Sequence, residues 1–221
     1  MNSLLQENGC LLGSLESVES LSKKQSARLL VISDSHGNKD VLLDIIEEFG
    51  LVSDALVFCG DGLRELISIV NDAYHDVKLM AKIPTVIAFV RGNCDREIYE
   101  TEVSSGPLNC SYSVGFVAAG RQIFVTHGHR FSVMSNPDML LHEAQNYNAD
   151  IVLYGHTHYP RIEEVGGTLI VNPGSCSRPR GTDIPSFSVV EYPGKTERYE
   201  VQHYGIECSA FGKNSFYPMN F

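Results

Sequence analysis

Five short apolar runs in this chain end in the same way. "LLVIS" (29–33) leads into Asp34-Ser35-His36, and "ALVFC" (55–59) leads into Gly60-Asp61-Gly62. "VIAFVR" (86–91) leads into Gly92-Asn93-Cys94-Asp95, "QIFVT" (122–126) into His127-Gly128-His129, and "IVLYG" (151–155) into His156-Thr157-His158. Short runs of this composition, bounded by turn signals, read as buried strands. In open α/β sheets ligands bind at the carboxyl ends of parallel strands, where loops converge on a rigid frame. Glycine lets the backbone bend sharply there and brings neighbouring side chains together.

The segments between these runs set the connectivity. "KDVLLDIIEEFG" (39–50) places apolar residues at 41, 42, 45, 46 and 49, a helical stripe closed by Gly50. "GLRELISIVNDAYHDV" (62–77) reads as a second amphipathic helix. The resulting β-α-β-α-β alternation predicts parallel strands joined by right-handed crossovers. The second half is richer in strands: two around the turn "AAGR" (118–121), a helix in "NPDMLLHEAQNYNAD" (136–150) with Pro137 near its first turn, and a hairpin across Gly166-Gly167. Two further strands are expected in "PSFSVVEYPGKTERYEVQHY" (185–204). The 221 residues fit one domain, read as two packed sheets with helices outside. Residues 1–27 are expected to form a loosely held arm or short helix, and 28–204 the domain proper. The tail 205–221, with Phe211, Phe216, Tyr217 and Phe221, is expected to pack on its own domain or on a partner subunit, so a homo-oligomer lies within the expectation.

Each polar strand end has a local use of its own. Asp34 can cap the following helix, although Asn38 is nearer and better placed. Asp61 can close an Asx turn, Asn93 can hold a left-handed position, and His127 can be a satisfied loop histidine. None of these uses explains the recurrence at five strand ends. A metal centre does, because it draws neutral imidazoles and carboxylates from separate elements.

"SDSHGN", "FCGDG", "VRGNCD", "THGH", "YGHTH" and "VNPGS" (171–175) resemble, in order and spacing, the signature blocks of calcineurin-like metallophosphoesterases, nearest to the small YfcE-like phosphodiesterase branch. The resemblance covers roughly residues 28 to 204 and implies a four-layer α/β/β/α sandwich of two mixed sheets with flanking helices. It also implies two divalent metal ions about 3.5–4 Å apart, the spacing general to two-metal hydrolases. Carried over by position, Asp34, His36 and His158 hold one ion, Asn93, His127 and His156 hold the other, and Asp61 bridges them. An imidazole, carboxylate and amide set without thiolate suits Mn²⁺, Fe, Zn²⁺, Co²⁺ or Ni²⁺ better than Ca²⁺ or Mg²⁺, with Mn²⁺ the leading expectation.

The resemblance implies hydrolysis of small phosphodiesters, with a hydroxide between the cations attacking phosphorus in line. Asp95 is expected to orient a ligand histidine through its second ring nitrogen, and His129 to lie beside the site. Cys94 stands where many members of the wider superfamily carry a histidine that protonates the leaving group. Its reference pKa is about 8.5 and nearby cations would lower it, so it makes a weak acid. Cys59 and Cys176 read as small buried hydrophobes. The alternatives are a metal-dependent phosphomonoesterase or nucleotide phosphatase, and a protein-binding scaffold resembling the retromer small subunit.

A net charge of −10 excludes a broad nucleic-acid or anionic-membrane surface, since no basic stripe is available to release phosphate counterions. Bound cations reconcile that charge with a small phosphoester substrate. Six cysteines in irregular spacing, with no export signal and no apolar span, point to reduced thiols in the cytoplasm.

Overall fold

The computed structural model of the chain describes residues 6–7, 10–104, 106–181, 184–194, 199–207 and 212–220. In chain order the elements are β1 (Gln6–Glu7), β2 (Leu11–Leu12), α1 (Leu15–Lys23), β3 (Ser26–Ile32), α2 (Lys39–Phe49), β4 (Ala55–Phe58), α3 (Leu63–His75), α4 (Val77–Met80) and β5 (Ile87–Phe89). They continue with β6 (Ile98–Tyr99), β7 (Leu108–Asn109), β8 (Ser113–Ala118), β9 (Arg121–Thr126), α5 (Asp138–Asn146), β10 (Ile151–Tyr154), β11 (Pro160–Val165) and β12 (Thr168–Pro173). Strands β13 (Ser186–Pro193), β14 (Glu200–Glu207) and β15 (Ser215–Pro218) complete the chain.

The larger sheet has the order β1-β2-β5-β4-β3-β13-β14-β15, and the second has β11-β12-β10-β9-β8. Strands β3, β4 and β5 are parallel, as the alternation predicts, with Leu30 beside Leu56 and Val57 beside Ala88. In the second sheet β10 runs parallel to both β9 and β12. Period-two alternation assigns the layers. Ile123, Val125, Ile151, Leu153, Leu169 and Val171 point into the core shared with the larger sheet. Phe124, Val152, Tyr154 and Ile170 point the other way, onto Leu140 and Ala144 of α5. Helices α2 and α3 bury Val41, Leu42, Ile45, Ile46 and Leu66, Ile69, Val70 in the larger cluster. This is the expected α/β/β/α arrangement, and Leu29 to Ile32 are fully buried because both faces of β3 are covered.

Local signals account for the helix ends. The Asn38 side chain accepts from the Val41 amide at the start of α2, at 3.3 Å. Gly62 offers α3 no side-chain cap, so that helix depends on a group from elsewhere. Two divisions drawn from sequence fall inside strands: position 27/28 lies within β3 and 204/205 within β14. Both strands run on into polar, exposed ends, Ser26 and Glu207, with no turn signal to mark a boundary. Residues 15–23, within the expected arm, form α1, capped by the Ser14 hydroxyl. No helix among the described residues is long and apolar enough to cross a membrane.

Strand β15 pairs antiparallel with β14 and so adds the tail to the larger sheet. The Phe216 ring meets Phe187 and Phe49 edge-on, with centroids 5.4 and 5.6 Å away. Phe211, Phe221 and Cys208 lie outside the described residues. Phe216→Ala should therefore lower the unfolding free energy by about 2 kcal/mol, below the range for a fully buried phenylalanine because this ring is half-buried. A shift of the urea midpoint at unchanged slope reports it; an unmoved midpoint would mean that β15 adds no stability.

Candidate metal centre

The carboxyl ends of β3, β4, β5, β9 and β10 meet at one edge of the two sheets. Asp34, His36, Asp61, His156 and His158 there all have left-handed backbone, with φ of 57, 43, 56, 68 and 61°. Asp and His tolerate that region better than most residues, yet it still requires support. The Asp34 amide donates to Gly60 O at 2.9 Å and the His36 amide to Asp61 O at 3.1 Å, which ties the first two loops together. Close approach depends on missing side chains at two positions. A Cβ on Gly92 would lie 2.0 Å from Asp61 Oδ1, and one on Gly155 would lie 2.0 Å from the Ser33 hydroxyl.

Asp34 Oδ1 is the centre of the cluster. It lies 3.1 Å from His158 Nε2, 3.6 Å from His36 Nε2 and 3.9 Å from His127 Nε2. Asp61 Oδ2 lies 3.4 Å from His127 Nε2 and 3.9 Å from His36 Nε2, between the two groups of imidazoles. Donor atoms of Asp34, His36 and His158 converge closely enough for one ion, and so do those of Asp34, Asp61 and His127. A third group joins His36 and Asp61 to Cys94.

The imidazoles are oriented for ligation. His127 Nδ1 lies 2.7 Å from the Cys59 carbonyl, so it carries a proton and, in the neutral ring that a metal requires, leaves Nε2 with a lone pair. His158 Nδ1 is held in the same way by the Arg178 carbonyl. Asp34 Oδ2 accepts from the Ser33 hydroxyl and, at 3.1 Å, from the His156 amide. Its Oδ1 has no hydrogen bond in good alignment, and neither has His127 Nε2, although both are fully buried. Two buried lone-pair atoms without donors each cost roughly 1–3 kcal/mol of desolvation, and a cation between them removes the deficit.

Without a cation the carboxylates pair with the imidazoles instead. Burial alone would raise both carboxyls, but His158 and His36 hold Asp34 far below the usual range. His127 and the Cys94 amide likewise bring Asp61 down to about 2. Burial disfavours the His127 cation, yet Asp61 and Asp34 outweigh it and raise its pKa. Burial and the charge of His127 lower His156. His129 is pushed down to about 4 by burial and by His127 and His156, whose rings lie 5.4 and 6.1 Å from its own.

Asn93, Cys94 and Asp95 share the loop that follows β5. Asn93 is exposed at the rim, its amide nitrogen 3.3 Å from Cys94 Sγ. The Cys94 thiol is exposed, and without a cation nearby desolvation and Asp61 raise it to about 11. Cys59 and Cys176 are fully buried. Asp95 pairs with no histidine among the described residues, because backbone amides occupy both of its oxygens. Its Oδ2 accepts from the amides of Asp61 at 2.7 Å and Gly92 at 2.9 Å, and its Oδ1 from those of Gly62 at 3.0 Å and Leu63 at 2.9 Å. Asp95 thus supplies the cap that α3 lacks and fixes the loop that carries Asp61.

The "VNPGS" block has a structural use that its residue types alone do not reveal. Asn172 Nδ2 donates to Gly155 O and Thr157 Oγ1, at 2.9 and 3.0 Å. Ser175 Oγ and Ser177 Oγ donate to Asp34 O at 2.7 and 3.2 Å, and Ser177 Oγ reaches Ser35 O at 2.7 Å. Glu65, which sequence reading passed over, accepts from the Ser35 hydroxyl at 3.0 Å and the Gly37 amide at 3.2 Å. Beside these loops a cleft of about 720 Å³ opens, with His36, Asp61, Cys94 and Tyr99 in its wall.

Residues 28–195 match the family model described as calcineurin-like phosphoesterase superfamily domain. The chain is 35% identical over 182 residues to phosphodiesterase MJ0936 of Methanocaldococcus jannaschii, covering 80% of this chain and 98% of that one. It is 30% identical over 169 residues to phosphodiesterase YfcE of Escherichia coli K12, covering 74% and 87%. Its structure is similar to that of a predicted phosphoesterase from Streptococcus pneumoniae TIGR4, with a TM-score of 0.63, 27% identity, and coverage of 89% of this chain and 99% of the other.

Asp95→Ala should strand four backbone donors at once. The unfolding free energy should fall by about 3 kcal/mol, since hydrogen bonds to a charged group are worth about 1.5–3 kcal/mol each and water replaces part of them. Affinity for Mn²⁺ should fall by about 10–100-fold as the Asp61 loop loosens. Denaturant titration and calorimetric metal titration check the two effects separately.

Proposed function

Because the chain belongs to the calcineurin-like phosphoesterase superfamily, we propose that it is a metal-dependent phosphodiesterase acting on small diesters. The observation that carries this reading is the buried pair of donorless lone-pair atoms, Asp34 Oδ1 and His127 Nε2, among further imidazoles and a second carboxylate. Asp34, His36 and His158 would hold one divalent ion, and Asn93, His127 and His156 a second, with Asp61 serving both. The mixed nitrogen and oxygen donors favour Mn²⁺, with Fe, Zn²⁺, Co²⁺ and Ni²⁺ as the alternatives. When bound, two such cations supply Lewis acidity, which brings water towards ionisation near neutral pH and neutralises phosphoryl charge during in-line displacement.

The protein's own groups do the positioning. Carbonyls of Cys59 and Arg178 hold two imidazoles in the ligating tautomer, and the Asp95 carboxylate fixes the Asp61 loop. Cys94 and His129 flank the site, where a thiol is at best a weak proton donor. That favours esters whose leaving groups need no protonation, such as aryl oxides. The cleft volume lies within the range of about 300–1,000 Å³ usual for small-molecule sites, which supports a small substrate. Free thiols at Cys10, Cys59, Cys94 and Cys110 support a cytoplasmic setting. The scaffold alternative has weaker support, because every residue of the expected ligand set is present.

Purified protein should hydrolyse bis(p-nitrophenyl) phosphate with Mn²⁺ and lose that activity with a chelator. Asp61→Asn should lower kcat by about 10³-fold or more while the circular dichroism spectrum stays native. Retention of most turnover under saturating metal would defeat the two-metal assignment. Cys94→Ala should cost less than about tenfold, and Cys94→His should help alkyl esters more than aryl esters, because a well-placed general acid is worth about 10²–10⁴-fold. The ratio of kcat/KM for aryl and alkyl leaving groups in the three proteins reads this out.

A further inference from the structure

Three arginines, Arg64, Arg96 and Arg178, line the same cleft as His36 and Asp61. They come from separate parts of the chain: the first turn of α3, the loop that follows β5, and the segment just after "VNPGS". All three are exposed. Several surface cations elsewhere are neutralised, Lys39 by Asp72, Arg91 by Glu97, Arg121 by Asp150 and Lys213 by Glu47. No carboxylate pairs with the cleft arginines among the described residues; Arg178 only reaches the His36 carbonyl, at 3.4 Å.

Carboxylates are present in the cleft, and several of their acceptor atoms are engaged. Glu65 Oε2 receives Ser35 and Gly37, and both oxygens of Asp95 receive backbone amides. The free amides at the start of α3 are also taken by Asp95, so the helix end is not left to bind an anion. The guanidinium groups have no carboxylate partner among the described residues, and their planar fork matches phosphoryl oxygens bidentately. On a chain of net charge −10, the three guanidinium groups offset Asp61, Glu65 and Asp95 in the same wall, so the cleft is less negative than the chain as a whole.

We infer that the cleft selects substrates carrying a second phosphoryl group, which Arg64, Arg96 and Arg178 hold while the first lies at the Asp61 site. The inference deepens the phosphoester reading and rests on it for the position of the first group. A cavity of about 720 Å³ accommodates a nucleotide-sized molecule, so the substrate class is a small, nucleotide-sized ester with two phosphoryl groups.

Binding to the Mn²⁺-loaded protein tests this without relying on turnover. Calorimetry should compare thymidine 5′-monophosphate with thymidine 5′-diphosphate and thymidine 3′,5′-bisphosphate. At least one doubly phosphorylated ligand should bind about tenfold or more tightly than the monophosphate, by the worth of one bidentate charge-assisted contact. R64Q/R96Q/R178Q should bring that ratio below about threefold. Arg180→Gln, which removes an exposed arginine outside the cleft wall, should leave the ratio intact. Equal affinity for all three ligands in the parent protein overturns the inference, as does a ratio that survives the triple substitution or that Arg180→Gln removes equally. Absence of diester hydrolysis alongside an arginine-dependent ratio would instead count against the proposed reaction and leave the second anion site standing.

Discussion

Left-handed backbone at Asp34, His36, Asp61, His156 and His158 is the constraint on which the site rests. Each strand must stop, reverse and present a side chain towards a common point, and the extended conformation cannot do this within one residue. Such conformations cost of order 1 kcal/mol or more apiece for side-chain-bearing residues, so neighbouring groups have to over-determine them. Ser175 and Ser177 grip the Asp34 turn, Asn172 grips the Gly155 turn, and Asp95 grips the Asp61 turn. The polar residues that touch no metal position are therefore as necessary to the geometry as those expected to ligate.

The same cluster is paradoxical as a piece of folded protein without counter-charge. Two carboxylates and several imidazole lone pairs face one another in a buried space, and desolvation acts against every ionised form. Mutual pairing relieves only part of this, since Asp34 Oδ1 and His127 Nε2 keep no aligned donor. A site of this kind trades stability of the bare chain for preorganisation towards cations, which then need little rearrangement on binding.

Much of the fold was legible in the sequence because periodicity carried it. The stripe at positions 41, 42, 45, 46 and 49 matches the buried face of α2, and the β-α-β-α-β order matches the parallel pairing of β3, β4 and β5. The polar ends of five strands pointed to one convergent site, and the structure brings Asp34, His36, Asp61, His127 and His158 together. Asp95 was misread because its partners are backbone amides, which no residue pattern displays. Glu65 was passed over for a related reason: in the helical pattern it looks like an ordinary solvent-facing position of α3, whereas its partners lie about 30 residues away at Ser35 and Gly37. Short strands such as β2 and β15 carry too few residues to show alternation at all.

The antiparallel pairing of β3 with β13 carries a consequence for how the molecule comes into being. Leu29 sits beside Val190, so the middle of the larger sheet is closed by residues about 160 positions apart. Closure of so long a loop is entropically expensive and slow relative to local pairing. On the ribosome the β3-α2-β4-α3-β5 unit emerges with the outer edge of β3 bare, and it stays bare until β13 has been synthesised. Ser175 and Ser177 arrive just ahead of β13 and lock the Asp34 turn in the same stroke. Metal competence is therefore a late event in biogenesis, and a nascent chain that acquires its ions is one whose central sheet has already closed.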